Sequence, residues 1–333
     1  MIRRIEQNIV EITGFLILAL VLYLVVLNGG AAIEPYFFPQ SILAFNTIFL
    51  SILIEAIPFV LVGVFIAGMI QVFVTEEHIK RLIPKNRLMA VCMSCVVGAL
   101  FPACECGIVP IVRRLVSKGI PIFAGVGFLL TGPLINPIVI FSTYVAFGQD
   151  VKMALLRMVL GLMIALIITA IISLLFRRNQ LKHSTNVNES NHSTYRFPLS
   201  MRIKAMFIHS VDEFFSVAKF LVIGAILAAF VQTYVSTNAI LSLGEGIVYS
   251  TAIMMGLAYL LSLCSEADAF IGASFRHMFP DASLLGFLIY GPMLDLKNTI
   301  MMMAVFKLRF VIVLMIIITV TVFSVLFIVH PWI

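Results

Sequence analysis

Apolar runs close to the roughly 20 residues that a helix needs to cross a bilayer recur along this 333-residue chain, and they decide what it can fold into. In hydrocarbon every backbone N–H and C=O must find a partner inside the protein, which leaves helices and closed barrels as spanning structures. Runs of this length, in a chain that is 62% apolar and 11% charged, predict an all-α polytopic membrane protein. The first run, Ile9 to Leu27, follows Arg3 and Arg4 as a signal peptide would. It contains Glu11, however, and ends in "NGGAAIEPY" without a clean small-residue cleavage motif, so it reads as a retained transmembrane helix.

The second half of the chain echoes the first. "FVLVGVFIAGMIQVFV" (Phe59 to Val74) returns as "FLVIGAILAAFVQTYV" (Phe220 to Val235), pairing Gly63 with Gly224 and Gln71 with Gln232 at an offset of 161. Cys104 pairs with Cys264 at 160, and Gly132-Pro133 in "LLTGPLINP" pairs with Gly291-Pro292 in "LIYGPMLDL" at 159. Landmarks that keep order and spacing predict a duplicated unit. The resulting division is an N-terminal transmembrane helix and outer loop (1–43), a first repeat (44–176), a linker (177–206) and a second repeat (207–333). The linker's Arg177 to Lys204 stretch is rich in Ser, Asn, His and basic residues and has no helical apolar period, which predicts a solvated connection.

The net charge of +6 comes from basic residues clustered in short loops, where they set membrane topology and give no reason to expect a nucleic-acid partner. The basic loop 75–87 and the linker should face the cytoplasm, and residues 28–43, without Lys or Arg, should face outward, which puts the N-terminus inside. Segment 88–116 has basic residues at both flanks and predicts a hairpin that enters and returns, with its tip at Pro102 to Gly107. Crossings near 44–74, 120–147 and 151–176 then give the first unit an odd number of passes. The second unit is therefore expected to be inverted, with a hairpin over 247–279 entering from the opposite face. Breaks are expected at Pro102, Gly107, Gly132, Pro133, Gly291 and Pro292. Irregular backbone at membrane depth is tolerated where it lines a cavity, so paired breaks point to a site, although Pro and Gly also kink ordinary helices.

An ionisable group at the centre of a membrane helix costs ~2.5 to 3.5 kcal/mol and calls for a partner or a cavity. Glu105 falls at the first hairpin tip, Glu266 and Asp268 at the second, and Asp295 and Lys297 just past the second Gly-Pro, where the first repeat has Asn136. With Cys104, Cys106 and Cys264 these make the candidate solute or coupling-ion site: Cys104, Glu105, Cys106, Asn136, Cys264, Glu266, Asp268 and Asp295. Glu55 and Lys219 read as a mutual pair or as snorkelling side chains. The thiols allow two readings. Cys104 and Cys106, with Cys92 and Cys95, could ligate a soft ion such as Zn(II), Cu(I) or trivalent arsenic, or they could be small apolar packers. A rival class is a membrane thiol redox protein relaying electrons through Cys92/Cys95 and Cys104/Cys106, although the thioredoxin-like setting is absent. A scaffold without transport has no need of the buried acids.

"FPACECGIVPIVRRLVSKGIP", "GFLLTGPLINPIVI", "LCSEADAFIGASF" and "GPMLDLKN" together resemble the predicted permeases of the YraQ/ArsP type, over nearly the whole chain after the first helix. The resemblance implies a bacterial or archaeal inner-membrane permease, some of whose relatives export trivalent organoarsenicals and some of which work beside a small accessory membrane protein. No Walker-type phosphate loop is present, so ATP hydrolysis is not expected. The expectation is a secondary permease, not an enzyme and without a cofactor, that moves a small solute by alternating access, a soft metal or metalloid species being the candidate.

Overall fold

The long apolar segments fold as continuous helices wherever no polar cap or proline interrupts them. A computed structural model describes residues 40–74, 84, 86–101, 104–176, 180–182, 199–234 and 246–332. The helix read over Ile9 to Leu27, Pro102 and most of the linker lie outside the described residues. The rest forms α1 (Gln40–Phe73), α2 (Arg87–Ala99), α3 (Glu105–Ser117), α4 (Ile122–Ile135), α5 (Pro137–Ala146) and α6 (Val151–Leu175). The second half forms α7 (Leu199–Tyr234), α8 (Ile247–Leu261), α9 (Ser265–Ser274), α10 (Asp281–Met293), α11 (Leu296–Val305) and α12 (Leu308–Val329). The protein is an all-α polytopic membrane protein, with five spans among the described residues long and apolar enough to cross a bilayer. Each half runs through the same order of elements: a long helix, two short arms, a helix in two pieces and a second long helix.

Two segment limits move. Helix α1 starts at Gln40, inside the stretch read as outer loop, and α7 starts at Leu199, inside the stretch read as linker. The linker's beginning is also pinned: Lys182 N donates to Val305 O (2.9 Å) and Lys307 N to Gln180 O (2.9 Å).

The breaks differ from expectation in position and cause. Gly132 and Pro133 lie inside α4, and Gly291 and Pro292 inside α10, each at the end of a helix that outlasts them. The first interruption falls at Asn136, because Pro137 drives the preceding residue out of the α region. Asn136 is extended (φ −64°, ψ 153°), takes the N–H of Val139 on its side-chain oxygen (2.9 Å) and gives its amide to Gly132 O (3.1 Å). In the second half the chain is extended at Leu294 and Asp295, and Asp295 caps α11 by accepting from Asn298 N (2.5 Å). Gly107 is no break at all. It is a helical residue of α3, and its value is close approach: a Cβ there would meet Phe59 O of α1 at 2.7 Å, and a Cβ on Gly63 would meet Gly107 Cα at 2.7 Å.

Helices α4 and α10 are buried almost throughout, which makes them the centre of the bundle. The long helices α1 and α7 pack along each other, α1 covers α3, and α7 covers α11. Arm α3 lies against α11 and arm α9 against α5, so each of these arms meets a helix of the other half. End contacts fix directions. Arg202 at the start of α7 donates to Val72 O at the end of α1 (3.4 Å), Lys118 after α3 donates to Gln71 O (3.0 Å), and Arg113 and Arg114 pair with Glu213 of α7. At the opposite end Arg276, after α9, donates to Phe147 O (2.8 Å) and pairs with Asp150. Arms α3 and α9 therefore finish at opposite ends of the bundle.

Candidate functional site

Three helix ends meet where the interruptions lie. Arm α8 stops at Ser262, which adopts the left-handed conformation (φ 47°, ψ 44°) and is almost fully buried. A non-glycine residue held there costs of order 1 kcal/mol or more, and such residues gather at functional sites. The turn aims both Ser262 oxygens at the start of α11. Its hydroxyl accepts from the N–H groups of Leu296 (3.1 Å) and Lys297 (3.4 Å), and its carbonyl accepts from Lys297 Nζ (3.3 Å). The same ammonium lies 3.3 Å from Glu105 Oε1 at the start of α3 and 3.6 Å from Asp295 Oδ2. Glu105, Asp295 and Lys297 are 1%, 1% and 4% exposed, so this ion cluster is sealed inside the protein. Breaking one member of a buried pair typically costs ~3 to 5 kcal/mol, because the other charge is left uncompensated. Glu105 Oε2 has no hydrogen-bond partner among the described residues, and Asp295 Oδ2 has only the 3.6 Å approach of the ammonium.

A second cluster lies across the centre. Arg157 of α6 is completely buried, donating to Thr143 Oγ1 of α5 (2.6 Å) and to Ser265 O at the start of α9 (3.2 Å). It thereby ties the second hairpin tip to the second piece of the first broken helix. Arg157 and Asp268 of α9 interact electrostatically, yet neither Asp268 oxygen has a hydrogen-bond partner among the described residues. Asp268 presses on the bare backbone of Gly291, where a Cβ would come within 2.7 Å of Oδ2.

Of the residues singled out in the sequence, Glu105 and Asp295 come together, and Asp268 falls in the second cluster. Cys104 and Cys106 interact electrostatically with the Lys297 ammonium, and Cys264 with Glu55 of α1 and Glu105. Among the described residues no group of three or more His, Cys, Asp or Glu side chains is placed to hold a metal ion. Asn136 holds the joint between α4 and α5, bonding to Gly132 O and to the N–H of Val139. Glu266 is only half-buried, on the face of α9 that carries exposed Phe270. Cys92 is exposed on α2, whereas Cys95 is buried beside Thr169 of α6 (3.8 Å), so that pair does not share one environment. Lys219 lies over the Phe220 ring (5.1 Å) instead of pairing with Glu55. The sequence reading missed Arg157 and Ser262. The signal for Arg157 was a cation two turns inside an apolar run, and Ser262 carried none beyond its place before Cys264.

A family model described as "Predicted permease", ArsP_1, matches residues 41–330, which span both clusters and all of α1 to α12 but the first residue of α1. The chain belongs to this permease family. It is 52% identical over 276 residues to the UPF0718 protein YcgR of Bacillus subtilis, covering 83% of this chain and 93% of that one. It is 39% identical over 273 residues to a Streptococcus mutans protein named as a subunit of a two-component membrane permease complex, covering 82% and 90%. No solved structure matches the chain. The permease thus carries in its core two cations, Lys297 and Arg157, each set against an acid from a different helix.

Proposed function

We propose that this permease is a secondary transporter that moves a small solute by alternating access between two inverted repeats. The observation that carries the reading is the sealed Glu105–Lys297–Asp295 cluster, placed where the hairpin of one half meets the interrupted helix of the other. Charges this deep in an apolar bundle are expensive and are retained where they bind or relay something. The opposite finish of α3 and α9 supports the inversion. The end that gathers Arg113, Arg114, Lys118, Lys182, Arg202 and Lys307 would be the cytoplasmic one by the positive-inside rule, which favours a cytoplasmic N-terminus for a protein of the cell membrane.

Cys104 and Cys106 flank Glu105 in the sequence and Cys264 interacts with it electrostatically, so a solute with affinity for both thiol and carboxylate, such as a soft metal or a trivalent organoarsenical, suits the site. The naming of the Streptococcus mutans relative favours a small accessory membrane protein as partner. The test is a panel of deletion and overexpressing cells challenged with methylated trivalent arsenicals, zinc, copper and thiol oxidants. The agent whose tolerance depends on the protein is then followed as flux in wild type and Glu105→Gln. The expected result is loss of flux with normal membrane insertion, and wild-type flux in that variant would remove Glu105 from the mechanism.

A further inference from the structure

The two arms that finish at opposite ends of the bundle are held in unlike ways. Arm α3 buries Ile108, Val109, Ile111, Val112 and Val116, and its Gly107 backbone packs against Gly63 and Phe59 of α1. Its end is fixed by Arg113 and Arg114 on Glu213, a side chain only 2% exposed. Arm α9 buries Ser265, Asp268, Ala269 and Gly272, none of them a large apolar residue, so apolar burial contributes little to its attachment. Its seated position also leaves the Ser265 hydroxyl and both Asp268 oxygens without a hydrogen-bond partner among the described residues, a cost that falls away when the arm meets water. What holds α9 is polar and acts at its two ends. Arg157 of α6 donates to Ser265 O at its first residue (3.2 Å). Arg276, two residues past its last, donates to Phe147 O (2.8 Å), pairs with Asp150 Oδ2 (2.5 Å) and lies over the Phe147 ring (5.8 Å). Asp150 caps α6, so one helix of the first half grips both ends of an arm of the second.

We propose that α9 is the moving gate of the permease, hinged where Ser262 and Arg157 hold its start and latched by Arg276 at the end of the bundle opposite Arg113 and Arg114. This rests on the permease reading and names the side from which its site opens. The fastenings at the two ends of the bundle differ in strength. Glu213 is out of water, so parting it from its two arginines leaves buried charge uncompensated. The Arg276 and Asp150 side chains are 39% and 24% exposed, so water replaces each partner as the pair separates. The Arg276 latch therefore yields first, and it frees the end of α9 while α3 stays seated on α1. Opening turns the inner face of α9, with Asp268, toward water. Asp268 interacts electrostatically with Glu105, Asp295 and Lys297 as well as with Arg157, so an opening at α9 leads to the ion cluster. Arg276 touches no part of that cluster and acts as a positioning residue. With the basic end cytoplasmic, this gate opens outward.

Hydrogen exchange of the purified full chain in a nonionic detergent, read by mass spectrometry, follows the gate without knowledge of the solute. Amides of 265–274 should exchange at least about tenfold faster than those of 105–117, because local opening is easiest where little apolar surface is buried. Arg276→Gln should speed exchange across the whole of 265–274 roughly fivefold, as loss of a partly exposed ion pair allows, and leave 105–117 unchanged. Arg276→Lys keeps the charge and should restore most of the protection. Asp150 is left intact because it also caps α6, accepting from Lys152 N and Met153 N. Raising NaCl from about 0.1 M to about 1 M shortens the Debye length from ~10 Å to ~3 Å, so it should loosen α9 in the wild type and spare α3. The salt series needs no variant, so a misfolded Arg276→Gln leaves the proposal open to refutation. Protection of α9 equal to that of α3, exchange indifferent to both Arg276→Gln and salt, a change confined to the last turn of α9, or loosening of both arms together by salt would each overturn it. Because the gate is read without flux, absence of transport in vesicles would count against the permease reading and leave this result standing.

Discussion

Gly63→Ala tests how the bundle holds its site in place. The added Cβ would lie 2.7 Å from Gly107 Cα and 2.8 Å from its carbonyl carbon, with the carbonyl oxygen closer still. These are backbone atoms in the middle of α3, so no side chain can rotate out of the way. Ordinary contact begins near 3.4 Å, and α1 and α3 must therefore part by at least about 0.7 Å. Overpacking of this kind costs typically ~1 to 3 kcal/mol. Arm α3 is held between α1 and α11, and Glu105 lies two residues before Gly107, so the displacement passes to the 3.3 Å contact with Lys297. Unfolding of the purified protein in mixed micelles, titrated with sodium dodecyl sulfate, should show a loss of about 2 kcal/mol. Gly256→Ala is the control. It lies within α8 with nothing inside 4 Å of an added Cβ, so it should leave stability unchanged or raise it by up to about 1 kcal/mol. Gly63→Ala unfolding at the wild-type midpoint would refute the reasoning, since it would mean that α1 and α3 are not in backbone contact.

Arg157→Met should destabilise by ~3 to 5 kcal/mol in the same titration, because Asp268 loses the cation that faces it. Adding Asp268→Asn should recover at least ~1 kcal/mol, and additivity of the two changes within about 0.5 kcal/mol would separate the two residues. Reporter fusions should place the 177–206 linker and the C-terminal "HPWI" on opposite sides of the membrane, because α12 runs its 22 residues away from the Lys182–Val305 junction. Finding both on one side would remove the inversion of the repeats.

What the sequence made legible follows from hydropathy and local chemistry. The apolar runs depend on composition and spacing, and those that fall within the described residues correspond to helices in the structure. The breaks were legible only approximately. Gly-Pro draws the eye, but a proline near the end of a helix removes a single hydrogen bond, whereas Pro137 excludes Asn136 from the helix outright. Gly107 was misread for a related reason, since glycine serves both turns and close helix contact and only the neighbour at Phe59 decides between them.

The site itself divides along the same line. Glu105 and Asp295 stood out as acids in apolar segments, but the sequence could not show that residues 190 apart share one ammonium. Lys297 is two residues past an acid and could have been its local partner. Its contacts with Glu105 and Ser262 are what turn a local pair into a junction of three segments. Arg157 was harder, since a basic residue seven positions into a helix ordinarily reaches back to the interface. It stays inside because Thr143 and the Ser265 carbonyl meet it there, and both lie on elements more than ten residues away. The pairing of segments read in the sequence does not say which half supplies charge. Asp295 matches Asn136, and that one change lets the second joint cap its helix with one oxygen while turning the other toward Lys297. Two halves with the same order of helices thereby carry Asp295 at one joint and Asn136 at the other, and the difference between the joints resides in single side chains.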